Sequence, residues 1–487
     1  MEEEYPKLKV YKTHIENTDY LLGENTQLEN RLSKFDKIYF RYIPIGYIYD
    51  QDRRSLLIPS GVSSNMVSRM TDRPIEVEDE VDPYDNISIR LKTLPRSELQ
   101  KESIAFMLGE GQYSTYKRYS QLVLNLDTGE GKTYIAIASI CIKQMKTIII
   151  IDNNTVRDQW FDSLLKYTDI DKRSIYHFTG SSACDMIINK PDKFKQYKVF
   201  ITTHSTLKSY GDRNGWNKVH ELFKNLKVGL KIYDEAHLNF SNIVRVDCYS
   251  NTKFTYYLTA TLGRSDVSEN FIYDTCFKSI PKYIQKERTK YQGKPYIVYL
   301  VYTYKSNPTF DNIAKLKNKY GFNMMKYSEY QLVDDEYFFP NILKLTTSIA
   351  VDKGLKTLVL TSTINGVEDI ADYLSKEIPD KVITKYHSKI DDEVKKNAKD
   401  ADIIISTMKS MGTGVDIPGL RAIINTESYK SKIITEQALG RLRKPEDNSV
   451  CLYIEMVDKA FSTIRAQQKA REKVLRNIVG KILYLKN

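Results

Sequence analysis

Apolar residues in this chain gather into short continuous runs, separated by stretches with helical spacing. In the first half the runs are Leu122-Val123-Leu124, Thr147-Ile148-Ile149-Ile150-Ile151, Val199-Phe200-Ile201-Thr202-Thr203, Leu230-Lys231-Ile232-Tyr233 and Tyr256-Tyr257-Leu258. They are rich in β-branched and aromatic residues, so each predicts a strand buried on both faces. The segments between them predict helices, one opened by Pro95-Arg96-Ser97-Glu98-Leu99-Gln100 and one over residues 134–140. Such alternation predicts an α/β fold, a parallel sheet covered by helices. The pattern repeats at 296–301, 356–360, 382–384, 403–405, 422–424 and 450–454, which predicts a second α/β lobe of similar size.

Other regions depart from that rhythm. Residues 38–44, 46–49 and 55–59 look like short strands, with Pro44 and Pro59 marking edges, and predict a small β-containing unit. Residues 71–85 are acidic and punctuated by Pro74 and Pro83, which predicts a linker. Strand-like alternation restarts at Ile87-Ser88-Ile89-Arg90-Leu91. The expected organisation is an accessory unit with its linker at 1–85, a first lobe at 86–285 and a second at 286–487. Residues 305–340 lack clear periodicity and read as an insertion or a loosely packed helical connection. Residues 458–485 carry Phe461, Ile464, Leu475, Ile478 and Ile482 at helical spacing, which predicts one long amphipathic helix.

Composition narrows the class. A chain of 487 residues is too long for one core, so two or three domains are expected. The 73 basic and 62 acidic side chains leave a net charge of +11, compatible with a polyanionic partner and equally with a lysine-rich surface. The five cysteines, at 141, 184, 248, 276 and 451, are too dispersed for C-x-x-C chemistry and suggest reduced thiols in the cytoplasm. The start Met1-Glu2-Glu3-Glu4 is not followed by an apolar block, and no apolar run approaches the ~20 residues of a membrane span. Neither a signal peptide nor a membrane role is expected.

The chemistry concentrates where a strand gives way to a helix. After Leu122-Val123-Leu124 comes Asp127-Thr128-Gly129-Glu130-Gly131-Lys132-Thr133. Two glycines allow a tight turn, and the helix that follows aims its free N–H groups and positive dipole end at an anion. Lys132 would reach the β- and γ-phosphates of a nucleotide, and the Thr133 hydroxyl would ligate Mg²⁺. The general template G-x-x-x-x-G-K-[ST] fails at its first position, where Leu126 stands. The alternative is an ordinary strand-to-helix turn with a lysine at its edge. A second site is Ile232-Tyr233-Asp234-Glu235-Ala236-His237, two carboxylates at the end of an apolar strand. Asp234 suits the Mg²⁺ that bridges phosphates, and Glu235 suits a general base for water.

Taken together, residues 96–444 resemble a superfamily 2 helicase. The resemblance implies two RecA-like parallel-sheet lobes in tandem, binding ATP and Mg²⁺ in the cleft between them. It places Gln100 at the adenine, and Thr128, Gly129, Glu130, Gly131, Lys132 and Thr133 around the phosphates. Thr155-Val156-Arg157-Asp158-Gln159-Trp160 resembles the next motif, although Asp152 stands where a proline is usual. Thr203 and Thr206, with Thr155 and Arg157, are implied to touch the nucleic-acid backbone, as is Thr407 in the second lobe. Asp234 to His237 matches the DEAH box, and Thr259-Ala260-Thr261 the coupling motif. Gly414 and Asp416 lie in a stretch like motif V, implied to bind ATP. Gln437, Arg441 and Lys444 lie in one like motif VI. Gln437 would couple, as would His237, Thr259 and Thr261, while Arg441 and Lys444 would face the γ-phosphate. Lys444 departs from the usual second arginine of that motif, with Arg443 just before it.

Within the superfamily the wordings around Leu258–Arg264 and Gly414–Pro418 resemble phage UvsW-type branch-migration helicases and poxvirus transcript-release helicases. That implies a DNA helicase or translocase, 3′–5′ in direction, acting on single-stranded, duplex or branched DNA in viral or phage replication, recombination or transcription. RNA is the alternative track, and the host cytoplasm or a virion the expected location. Other readings are a remodeller that releases transcripts without strong unwinding, and a paralogue with a dead ATP site. Several softer residues have structural alternatives. Thr203 and Thr206 could cap a helix, and Trp160 reads as core packing before base stacking. His387 is core or interface. Arg465, Lys469, Arg471, Lys473 and Arg476 read as a solvated face or as phosphate contacts.

Overall fold

The computed structural model describes residues 7–16, 31–36, 41–44, 48–50, 55–69, 73–127, 129–260, 267–285, 294–318, 321–387, 389–390, 398–408, 410, 417–429, 432–445, 447 and 449–486. The chain divides into two compact units, Met1–Gln285 and Lys286–Asn487.

The first unit begins with short strands: β1 (Leu8–Val10), β2 (His14–Glu16), the hairpin β3 (Ser33–Asp36) and β4 (Arg41–Pro44), then β5 (Ile48–Asp50), β6 (Ser55–Leu57) and β7 (Ile75–Val77). Five of them form a sheet in the order β5-β6-β2-β1-β7, antiparallel except for β1 against β7. The large sheet follows, built from β8 (Gln121–Asn125), β9 (Thr147–Ile151), β10 (Ile175–His177), β11 (Val199–Thr203), β12 (Leu230–Tyr233), β13 (Phe254–Thr259) and β14 (Lys282–Ile284). Its order is β10-β11-β9-β12-β13-β8-β14, parallel throughout. The apolar runs are continuous because both faces are covered. Ile148 and Ile150 belong to one core, while Ile149 and Ile151 belong to the other.

Described residues between Leu8 and Val67 share the first of those cores. Leu8, Val10, Ile15, Ile58 and Val62 pack in one cluster with Val123, Ile148, Phe200 and Tyr257. The acidic stretch before residue 85 is laid along the same unit: the Asp82 N–H donates to the Asn251 carbonyl, and Lys146 pairs with Asp85 at 3.0 Å. Residues 87–91 form no strand. They lace helix ends through isolated bridges at Asn86–Met145 and Leu91–Thr168, so their alternation reflects a strap half-buried on one side.

The second unit carries β15 (Lys294–Tyr304), the two-residue strands β16 (Lys317–Asn318) and β17 (Gly321–Phe322), β18 (Thr357–Thr361), β19 (Ile383–Tyr386), β20 (Ile403–Thr407), β21 (Ala422–Asn425), β22 (Cys451–Asp458) and β23 (Val479–Lys486). Seven of these form a parallel sheet, β19-β20-β18-β21-β22-β15-β23. The described residues of 305–340 carry the helices Phe310–Lys315 and Met324–Val333 and the antiparallel pair β16–β17, followed by the helix Phe338–Thr346, with Tyr327, Tyr330 and Phe338 buried.

The long C-terminal helix expected from periodicity is corrected. The helix runs only over Ser462–Leu475, and Val479–Lys486 pairs with β15 as a sheet edge. Gly480 passes so close to the Pro295 carbonyl that a Cβ there would collide. The helical spacing ran across a turn ending at Ile478 and into a strand whose Val479, Ile482 and Tyr484 favour a pleated surface. Arg471 is no phosphate contact either: it is 1% exposed, its Nε donating to Glu455 Oε1 at 2.5 Å. His387 is buried, its Nε2 2.6 Å from Glu368 Oε1. All five cysteines are buried free thiols. Among the described residues no helix is long and apolar enough to cross a membrane.

Candidate active site

Strand order in the first unit gathers the polar residues at one edge. β8 lies beside β13 and β12 beside β9, so the carboxyl ends of these four strands are neighbours. Thr259 is registered with Asn125, and Tyr233, just before Asp234, with Tyr257. Four segments far apart in sequence therefore end at one crevice, the usual ligand position in a parallel sheet.

The turn after β8 has Gly129 at φ 94° and Gly131 at φ 89°, a left-handed region that side chains avoid. Gly131 precedes the helix Lys132–Lys143, and among the described residues no side chain caps it. Its first N–H groups are thus left for an outside acceptor. Lys132 is buried, with Nζ donating to the Leu126 carbonyl at 3.1 Å and the Asp127 carbonyl at 3.4 Å. Thr133 is half-buried in the first turn.

Gln100 braces this turn. Ser97 caps the helix Glu98–Leu108 by accepting from the Gln100 N–H at 3.3 Å. The Gln100 side chain then bridges outward: Oε1 accepts from the Arg96 N–H at 3.0 Å, and Nε2 donates to the Glu130 carbonyl at 3.2 Å. Arg96 adds a bond from Nη2 to the Gly129 carbonyl at 2.7 Å. A Cβ on Gly131 would run into the Gln100 amide. Gln285 holds the other side, its Oε1 accepting from the Asp127 N–H at 3.3 Å and its N–H donating to the Asn125 carbonyl at 3.3 Å.

The carboxylates sit on a pinned loop. The Asp234 N–H donates to the Ile150 carbonyl and the Ala236 N–H to the Leu258 carbonyl, so both neighbouring strands fix the backbone around Glu235. Glu235 is held at φ 46°, an unfavourable conformation for a side-chain-bearing residue, of the kind that surrounding structure sustains at functional sites. Asp234 Oδ1 accepts from the Glu235 N–H at 2.9 Å, and Oδ2 from the Trp160 indole N–H at 2.7 Å. Burial, then the Glu235 charge, raises Asp234 to about 6, against the lowering effects of Trp160 and Lys132. Glu235 Oε2 is buried and accepts no hydrogen bond among the described residues, though His237 Nδ1 lies 3.2 Å away. That nitrogen is also 3.1 Å from the Thr259 hydroxyl.

An uncapped helix start, a buried lysine, a carboxylate beside it and a second carboxylate with an open buried oxygen suit a nucleoside triphosphate with Mg²⁺. They bring together Gln100, Gly129, Glu130, Gly131, Lys132, Thr133, Asp234, Glu235, His237 and Thr259 within one unit. Thr128, Thr261, Gly414 and Asp416 lie outside the described residues. Thr155 falls in the helix Asn154–Tyr167 and Gln437 in the helix Lys432–Gly440. Arg441 is half-buried just past that second helix, and Arg443 and Lys444 are exposed.

The threonines expected on the nucleic-acid track point inward. Thr203 is 3% exposed and caps the helix His204–Asn214, its Oγ1 accepting from the Thr206 N–H at 3.1 Å and lying 2.9 Å from the Thr206 hydroxyl. Thr407 does the same in the second unit, accepting from the Ser410 N–H at 3.2 Å and donating to Ser410 Oγ at 2.9 Å. The capping alternative is what the hydroxyls show. Arg157 is partly exposed and pairs with its neighbour Asp158 at 2.9 Å.

Sequence reasoning missed Arg96, Trp160 and Gln285. Ser97 and Gln100 form an S-x-x-Q pattern that flags a helix start, with Arg96 just before it. For Trp160 and Gln285 the partners lie more than 70 residues away, and no local signal marks them.

Known proteins resemble the chain in both of its units. Residues 93–264 match the family described as Type III restriction enzyme, res subunit, and residues 340–445 match the helicase conserved C-terminal domain. The chain is 24% identical over 346 residues to Transcript termination protein A18 of fowlpox virus, covering 68% of this chain and 69% of that one. It is 25% identical over 332 residues to DNA 3′-5′ helicase XPB of Kineococcus radiotolerans, covering 66% and 54%. In three dimensions it is similar to S. cerevisiae Dbp5 bound to RNA and ADP BeF3, with a TM-score of 0.55 at 12% identity over 80% of this chain and 90% of that one. That likeness establishes the fold, two RecA-like α/β units. Helicase domains of this kind imply ATP and nucleic acid as ligands. The chain belongs to the superfamily 2 helicases.

Proposed function

We propose that this protein is an Mg²⁺-dependent DNA helicase or translocase that couples ATP hydrolysis to movement, 3′–5′ in direction, and to strand separation or branch migration. The observation that carries the reading is the crevice at the carboxyl ends of β8, β12 and β13, where Lys132, Asp234, Glu235 and the His237–Thr259 contact meet. DNA is preferred because the poxviral and bacterial relatives are named for transcription termination and for 3′-5′ DNA helicase activity.

The turn N–H groups and Lys132 hold the β- and γ-phosphates, and Gln100 holds the turn and reads the adenine. Thr133 and Asp234 hold Mg²⁺, which neutralises phosphate charge when bound. Glu235 takes a proton from the attacking water through its open Oε2. Arg441, with Lys444 as a weaker second contact, stabilises charge in the transition state. Nucleic-acid contacts are mostly to phosphates and insensitive to sequence, with Arg157 a candidate. Thr203 and Thr407 shape the backbone at the track rather than donating their hydroxyls to it. A second reading follows from the poxviral name: release of a transcript or a bound protein without extensive unwinding.

The test measures ATP turnover with no nucleic acid, single-stranded DNA, duplex, branched DNA and RNA, together with strand separation on forked and four-way DNA. DNA-stimulated turnover with separation supports the proposal. DNA-stimulated turnover without separation favours the second reading, and stimulation by RNA alone overturns the choice of track. Lys132→Ala should abolish turnover. Glu235→Gln should retain ATP binding and lose hydrolysis, and turnover at the parent rate in either variant would refute the site.

A further inference from the structure

Trp160 lies on the inward face of the helix Asn154–Tyr167 and is 1% exposed. A buried indole needs a partner for its N–H, and a backbone carbonyl would serve. Here the partner is a side-chain carboxylate 74 residues downstream, Asp234 Oδ2, at 2.7 Å. A bond from a neutral donor to an ionised acceptor is short and strong. The other oxygen, Oδ1, accepts from the Glu235 N–H at 2.9 Å. Each oxygen therefore receives one bond from a rigid donor and keeps a lone pair for an outside ligand. The two donors differ in kind. The Glu235 amide belongs to Asp234's own loop and moves with it. The indole is anchored elsewhere, in the core that contains Ile149, Ile151 and Val156, so among the described residues it ties the carboxylate to the body of the sheet from outside the loop.

We infer that Trp160 is a positioning residue for the metal site: its indole N–H sets the rotamer of Asp234 so that the carboxylate meets Mg²⁺ in one geometry. The inference rests on the assignment of Asp234 as a metal-holding residue in the proposed function. Groups behind metal ligands act by orientation, and losing one typically costs 10–100-fold in metal affinity. Trp160→Phe keeps an aromatic ring in the core and removes the donor.

The experiment follows a fluorescent ADP analogue bound to the full chain, titrated with Mg²⁺, so no turnover is needed. For Trp160→Phe, binding without Mg²⁺ should match the parent, while the Mg²⁺ concentration giving half the enhancement should rise by about 10-fold or more. Leu222→Ala, a change in the other core of the same unit, controls for lost stability and should titrate like the parent. Trp160→Met, a flexible filler without a donor, takes the place of the Phe variant if that one fails to fold. A parent-like Mg²⁺ titration in the variant lacking the indole, with Asp234→Asn clearly impaired, overturns the role of Trp160. A parent-like titration in Asp234→Asn overturns the metal assignment itself.

Discussion

His237 Nδ1 lies 3.1 Å from the Thr259 hydroxyl and 3.2 Å from Glu235 Oε2, so one ring nitrogen joins the end of β13 to the proposed catalytic base. The histidine and threonine are both nearly fully buried, so the contact is shielded from competing water.

If that contact carries coupling, His237→Ala and Thr259→Ala should each leave basal ATP turnover near the parent value and reduce its stimulation by DNA. The double variant should be no worse than the worse single one, with an interaction energy of about 1 kcal/mol in the cycle. Strictly additive losses would show that the two residues act separately.

Acid should weaken the first unit through two histidines. Burial lowers His204 from 6.5 to about 3, and burial with the Arg157 charge lowers His177 to about 4. Both stay neutral when folded and protonate when unfolded, so their contribution is present above pH 6.5 and is lost as pH falls towards those values. Asp234 works in the opposite sense: raised to about 6, it favours the folded state as pH falls from 6 to 3.8. His204 stacks on Tyr233, ring centroids 5.7 Å apart, so His204→Phe should keep the packing. Denaturation between pH 7 and 5 should then show about one fewer proton taken up on unfolding than in the parent. An unchanged slope would remove His204 from this account.

Cutting the chain after residue 85 should give an insoluble or dye-binding protein with no ATP turnover. The cut removes Leu8, Val10, Ile15, Ile58 and Val62 from a core shared with Val123, Ile148 and Tyr257, and leaves a large exposed apolar face. The milder Ile58→Ala should cost about 2–5 kcal/mol by denaturant titration. A soluble truncated chain with parent turnover would show that these residues form a detachable domain.

Arginine replacements in the second unit should rank Arg441→Ala first in lost turnover at saturating DNA, then Lys444→Ala, then Arg443→Ala. An arginine finger is worth ~10³–10⁵ in rate, and a lysine at the second position lacks the planar fork that engages several oxygens. Equal damage from Arg443→Ala and Arg441→Ala, with Lys444→Ala silent, would move the finger by one residue.

The sequence by itself determined the α/β class and the motifs that end at the crevice. Gly129 to Thr133 and Asp234 to His237 are contiguous, so each motif is legible from a strand, a turn and its own residues. The apolar runs fixed the strands because burial on both faces leaves no polar alternation to confuse them. Tertiary structure decided whatever depended on a distant partner. Periodicity could not separate helix from strand over residues 478–485, because spacing in a short apolar run does not reveal that β15 waits beside it. It placed Thr203 and Thr407 at strand ends and left open whether their hydroxyls faced outward. The first 85 residues read as separate because proline and acid mark a boundary in composition, whereas the core they share is a matter of packing. Trp160 looked like one more large side chain for the core. Only the sheet order, which sets β12 next to β9, brings its N–H to Asp234.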